Sequence, residues 1–525
     1  MKYFIKIALS FSIVLVFGLA HAQQNTGLRY IESENVASLN PYENSSLRMV
    51  NIRFHELMFE GLFRYDHNQE EFVPVLAEDF SAIDGYTYDV KLKENVFWHD
   101  GERLTVDDVV FTFNYAKDES NLRSLSMFFN NTISEVNKIN DRTVRFSFFN
   151  PNLGENLMSL TYWILPEHLL SEGPAARREF ARRPVGTGPF EFSQITIQGT
   201  GRLVRNNRYH GKVPNISNVQ MDVLPDIDTA TLRMRDGQSD LLVNTPISRI
   251  EEFERTHRLE PFQSYNVHAI GINFENPLLQ NRDLRRVLVH GFDRRRSLNQ
   301  WFNGRGSVLA GPFTSSSPNY NPSLQVMEYD VDRAKELLRR AGFNTDRQGR
   351  ALDHDGNPIR LNLLVKQQLV TGMSNVIQDF IEQMKAIGID VNAQFEISER
   401  YERRLYFEKD FDLALMEWVI NPVYDVSHLF ISDNIYPGGH NVMSYRNSQI
   451  DELFEEYRNT DATRRLRRSQ IMYEIQNILA TDIPCIFLFN FDQYAVFSNR
   501  FSYTLIDPFA FFTFVNEWEI LDYYE

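Results

Sequence analysis

The sequence is poor in the residues that build crosslinks and reaction centres. It has a single cysteine, Cys485, so no internal disulfide can form in its 525 residues. Its twelve histidines include no H-E-x-x-H, no Cys/His cluster and no pair at metal-ligand spacing, so neither a metal nor a cofactor is expected. The signatures G-x-S-x-G, S-x-x-K, the Walker loop and the dinucleotide fingerprint are all missing. Gly186-Thr187-Gly188 runs into Pro189-Phe190 rather than into a helix, so it presents no helix N-terminus to a phosphate. His99-Asp100-Gly101 reads as a turn rather than a metal dyad, and Asp353-x-Asp355-Gly356 as a hairpin turn rather than a calcium loop, because the closing acid is absent. Enzymatic chemistry is therefore not expected; a secreted hydrolase with an unrecognised carboxylate pair is the rival from another class.

Long apolar runs are equally scarce. One opens the chain: Lys2 and Lys6 precede Ile7 to Ala20, and Ala20-His21-Ala22 forms a small-x-small cleavage site. The pattern predicts a signal peptide over 1–22 and a mature start at Gln23, because the run falls short of the ~20 residues that cross a bilayer. Lipoprotein signals place a cysteine directly after the cut, and here there is none. A soluble periplasmic protein is expected, since an exported chain of this size with one thiol suits a Gram-negative periplasm.

Positive charge is also in deficit. The net charge of -16 argues against nucleic acid and anionic membranes as partners. The arginine-rich stretches 177–178, 182–183, 294–296 and 464–468 read as solvated helix faces. With 43% hydrophobic and 13% aromatic residues, the mature chain exceeds one core and implies two or three domains. No Gly/Ser/Pro linker separates them, so they must interleave.

What is present alternates helix and strand. Tyr86, Tyr88, Val90 and Leu92 alternate with polar residues, as do Val144, Phe146 and Phe148. Thr105 with Asp108 predicts a capping box ahead of Val109, Val110 and Phe113. Asp330 is a predicted N-cap for a helix carrying Ala334, Leu337, Leu338 and Ala341, closed by Gly342. Further helices are read at Ile450, Leu453, Phe454 and Tyr457, and at Ile471 to Leu479 before Pro484. Leu413-Ala414-Leu415-Met416 suits a strand covered on both faces. The fold class is α/β with mixed sheets.

Several segments together resemble the peptide/nickel type of extracellular solute-binding proteins, from about Leu28 to Trp518. They are Leu39-Asn40-Pro41 with Phe59-Glu60-Gly61-Leu62; Tyr86-Thr87-Tyr88 through Phe97-Trp98-His99-Asp100-Gly101 to Thr105-Val106-Asp107-Asp108-Val109; Pro184 to Phe190; and Phe411 to Leu415 leading to Trp418. The glycines of the third segment are read as serving a tight reversal. The resemblance implies a two-lobed periplasmic-binding fold with an inserted domain. Lobe 1 would join 23–55, 191–265 and 486–525; the insert would be 56–190; lobe 2 would be 266–485. It further implies a monomer that closes about a hinge over a short peptide or peptide-like solute and delivers it to an inner-membrane ABC permease. A non-peptide cargo, such as an oligosaccharide, an opine-like conjugate or a metal chelate, is the alternative within the class.

In peptide-binding relatives an acid three positions after this Trp pairs with the ligand ammonium. Here that position is Asn421, which brings no charge, so Asp425 or Glu417 is the candidate counter-charge and Trp418 a cleft wall. Arg404 and Tyr401, with Arg403 and Arg53 as further choices, are candidates for a ligand carboxylate, against the reading of a solvated helix face for each arginine. Glu34 and Asn35 follow the first strand, where ligands sit in such sheets.

Overall fold

The computed structural model describes residues 26–521, apart from 37, 44–48, 67–68, 70, 119–122, 152, 264–265, 316, 318, 368–369, 420–425, 461–463 and 508–509. The signal segment lies outside it. Local signals in the sequence become elements for identifiable reasons. Thr105 Oγ1 accepts from the Asp108 N–H while Asp108 Oδ2 accepts from the Thr105 N–H at 2.8 Å, a reciprocal box that starts the Val106–Lys117 helix. Asp330 accepts from the Arg333 N–H to start Val331–Arg340, and Gly342 follows at φ +87°. The helix Ser448–Asn459 is capped by Asn447, and the helix Arg465–Asp482 stops just before Pro484. Tyr88, Val90 and Leu92 are buried on one face of Thr87–Leu92. Tyr86 falls outside that strand and is exposed, because its N–H is taken by Asp84 in the preceding turn.

Three principal sheets carry the architecture among the described residues. The largest is mixed, in the order Arg258–Gln263, Phe489–Phe497, Leu241–Leu242, Gly27–Glu32, Asn218–Val223, Gly201–Arg205, Phe190–Ile195, with Gly306–Val308 attached to the second strand. A five-stranded sheet runs Asp390–Glu396, Arg360–Lys366, Leu413–Val419, Asn266–Ile272, Cys485–Phe487. An antiparallel four-stranded sheet joins Ala77–Ala82, Thr87–Leu92, Thr143–Phe148 and Ile133–Asn140.

One continuous core runs from Leu28 and Tyr30 in the large sheet to Val90 and Phe146 in the four-stranded sheet, and closes on Trp518 near the C-terminus. The five-stranded sheet has separate cores on its two faces. Leu413 and Leu415 enter one and Ala414 and Met416 the other, which is why that run is apolar at every position. Arg294 is a correction to the solvated-face reading. It is buried, and its guanidinium donates to the carbonyls of Leu309, Phe487 and Met327, replacing the water it has lost. Its neighbour Arg295 stays at the surface beside Glu328.

Candidate functional site

The chain passes between the large and five-stranded sheets along two adjacent antiparallel tracks. On one, Arg258–Gln263 precedes Asn266–Ile272; on the other, Cys485–Phe487 precedes Phe489–Phe497. Gln263 pairs with Asp492 on the large-sheet side, and Ala269 with Phe487 on the other. Asn490 Nδ2 ties the tracks together by donating to the Asn266 carbonyl at 3.0 Å. Beside them, the turn after residue 302 sends Asn303 to Glu251 and Arg305 to Glu254, and stacks the Arg305 guanidinium 5.1 Å over Tyr494.

The candidate residues fall on both sides of these tracks. On the five-stranded side, Glu417 and Trp418 lie opposite His268 and Val267. Glu417 accepts from Asn266 Nδ2 at 2.8 Å, and its carboxylate stands 3.7 Å from His268 Nε2. Burial pushes His268 below the ordinary histidine range, and Glu417 opposes that shift. Trp418 packs edge-on against Phe487, and its Nε1 is closed off from solvent with no acceptor. Neither Asn266 nor His268 was anticipated. Their only signal was a polar residue at each second position opening an otherwise apolar strand.

Tyr401 and Arg404 lie beneath this strand. The Tyr401 hydroxyl donates to the Leu415 carbonyl at 2.7 Å, and burial pushes its pKa up. Arg404 is buried between Glu396, Asp410 and Gln394, which corrects its reading as a solvated face and answers its charge from within the chain. Arg403 is exposed beside Glu399. Asn421 and Asp425 lie outside the described residues.

On the large-sheet side, Gly27–Glu32 runs parallel to Asn218–Val223 and ends in Glu32. Arg53 reaches Glu32 through two bonds of 2.6 and 2.7 Å, both side chains being buried, so Arg53 too is not a solvated residue. Glu34 and Asn35 emerge exposed just past this pair, beyond the carboxyl ends of the two parallel strands. Asn35 lies against Gly199, where a Cβ would sit 1.8 Å from its Oδ1.

The stretches 57–59 and 186–190 meet at Gly186 and Gly188, just before the large-sheet strand Phe190–Ile195. Neither has positive φ; their need for glycine is a close approach, since a Cβ at Gly186 would stand 1.9 Å from the Met58 carbonyl oxygen. The chain does bend at 187–189, but it is this approach and not a positive φ that requires glycine. His99 completes the joint, with Nδ1 accepting from the Gly186 N–H and Nε2 donating to the Gly188 carbonyl. A polar cavity of about 500 Å³ separates Asn150, just past the Thr143–Phe148 strand, from Ile431, Asp451 and Glu455 on the five-stranded side. Another, of about 340 Å³, lies among the helix Met49–His55, the stretches 56–65 and 158–163, and residues 510–516; neither is lined by Trp418.

Among the described residues no helix is long and apolar enough to cross a membrane. The oligopeptide-binding protein AppA of Bacillus subtilis is 30% identical over 430 residues, covering 79% of this chain and 77% of that one. Its solved structure, in complex with a nonapeptide, superposes with a TM-score of 0.74 at 26% identity, over 94% of this chain and 99% of that one. NikA from Brucella suis, in complex with Fe(III)-EDTA, shares the fold with a TM-score of 0.83 at 19% identity, over 94% of this chain and all (100%) of that one. The model of the bacterial extracellular solute-binding proteins, family 5 (Middle), matches residues 71–435. A chain that joins two sheets through two antiparallel tracks, and matches this family over most of its length, belongs to the family 5 extracellular solute-binding proteins.

Proposed function

We propose that this protein is the periplasmic, non-catalytic receptor of an ATP-driven importer and closes over a short peptide between the large and five-stranded sheets. The observation that carries the peptide is the AppA comparison, in which sequence identity and fold agree along most of both chains and the solved relative holds a nonapeptide. The two tracks at 263–266 and 487–489 act as the hinge, and the change of sheet there supports lobe boundaries near 265 and 486. Main-chain hydrogen bonding to an extended ligand suits a site that reads length and termini.

Trp418 serves as a wall of the cleft, Glu417 is the described acid nearest to it in sequence, and Glu34 and Asn35 serve the ligand from the other lobe. Asn421 and Asp425 complete the ammonium end. Tyr401, Arg404 and Arg53 shape the walls from behind, since their polar groups are engaged within the chain. Removal of a signal at Ala22 would leave the receptor free in the periplasm, as a monomer, to dock on its permease.

Native mass spectrometry of protein purified without refolding should show a co-purified peptide. Trp418→Ala should weaken that peptide by about 10–100-fold while leaving the unliganded Tm within about 2 °C. Recovery of a sugar or a metal chelate instead would replace the cargo, and turnover of peptide or ester would end the receptor reading.

A further inference from the structure

The cavity of about 340 Å³ among residues 49–65, 158–163 and 510–516 takes no described lining residue from 266–485, so it is separate from the proposed seam between the lobes. Its volume falls in the range of small-molecule sites. Its wall is aromatic: Phe63, Tyr162, Trp163 and Phe512 line it, and Phe63 and Phe512 are almost wholly buried. Arg64 is the only cation among the described residues of the lining. Its guanidinium stacks 5.0 Å over Phe514, its Nε is closed off from solvent without an acceptor, and it makes no ion pair with any described residue. An arginine held against an aromatic wall with no anion of its own is a docking point for one.

The acids of the lining do not supply that anion. Glu60 is spent on the Tyr209 hydroxyl, the Thr187 hydroxyl and His210, at 2.6 to 2.9 Å. Glu56 accepts from the Phe512 N–H through Oε1, while its Oε2 is closed off without a partner. Burial pushes the Glu56 carboxyl well above the ordinary carboxylate range, which disfavours the charged form that would repel an anion.

We propose that this cavity is a second ligand site, for a small amphipathic monocarboxylate whose carboxylate pairs with Arg64 and whose aromatic or branched apolar body lies among Phe63, Tyr162, Trp163 and Phe512. Such a ligand would bridge the insertion, through residues 162–163, and the C-terminal segment through Phe512.

The test is isothermal titration of the full mature protein with three isosteric probes: 3-phenylpropionate, 3-phenylpropanamide and 3-phenylpropylamine. The acid should bind at least about tenfold tighter than the amide, and the amine should not bind. Arg64→Leu should bring the acid down to the level of the amide while peptide capture between the lobes persists. Hydrogen exchange on the unmutated protein serves as a measurement independent of any variant: 3-phenylpropionate should protect 158–163 and 510–516. Equal binding of all three probes, no binding of the acid, or protection confined to 413–419 would overturn the proposal.

Discussion

Where the segment 57–59 meets 186–190, two backbones come so close that only glycine fits. The contact is closed by Gly188 N–H to Met58 O at 2.8 Å and by a histidine that reads both glycines. The hydrophobic core runs through that joint without a break. Where the large sheet meets the five-stranded one, the core divides, and what spans the gap is a pair of strands with surface ion pairs beside them. A joint with continuous apolar packing moves as one body. A joint of two strands, held by Phe487, Leu488, Phe489 and the Asn490–Asn266 bond and flanked by polar neighbours, has fewer packed contacts to resist bending and is the proposed hinge. The position of a receptor's hinge is thus written in where its cores stop.

That contrast can be broken at the packed joint first. Gly186→Ala forces a Cβ against a backbone carbonyl that cannot rotate away, so a loss of about 4 kcal/mol or more is expected, read as a large fall in the unfolding midpoint. A midpoint within a degree of the parent would show the joint to be adaptable.

Acid attacks the same joint. Burial pushes His99 and His55 down from 6.5 to about 4, so between those values the unfolded chain binds protons that the folded chain refuses. Stability is therefore full above about pH 6.5, falls as pH drops toward 4, and has lost about 3 kcal/mol per histidine below that. Urea melts at pH 7 and pH 4.5 should differ accordingly, and His99→Gln should flatten part of the slope. A slope that His99→Gln leaves unchanged would place the acid sensitivity elsewhere.

The smallest effect is expected at the hinge. Arg305→Ala removes a part-exposed pair with Glu254 and the stack on Tyr494, which should cost below about 1 kcal/mol of stability. Its consequence belongs to the lobes: small-angle scattering of the unliganded protein should show a broader distribution of lobe separations. An unchanged distribution combined with a large fall in stability would reverse the comparison.

The local vocabulary of this fold was legible from the sequence, because each device closes within a few residues. The capping box at Thr105 and Asp108, the Asp330 cap with Gly342, and the doubly covered strand at Leu413 are of this kind. Membership of the family was legible for a related reason, since its motifs stand in order over most of the chain. What the tertiary structure alone decided was the use made of charge and of glycine. Arg294 reads as a surface arginine until a carbonyl 193 residues away receives it, and Arg404 becomes part of a buried cluster instead of a ligand arm. Gly186 and Gly188 owe their identity to Met58, a residue no local pattern connects to them. Burial and close approach are properties of pairs distant in the chain, so they enter only when the sheets have come together.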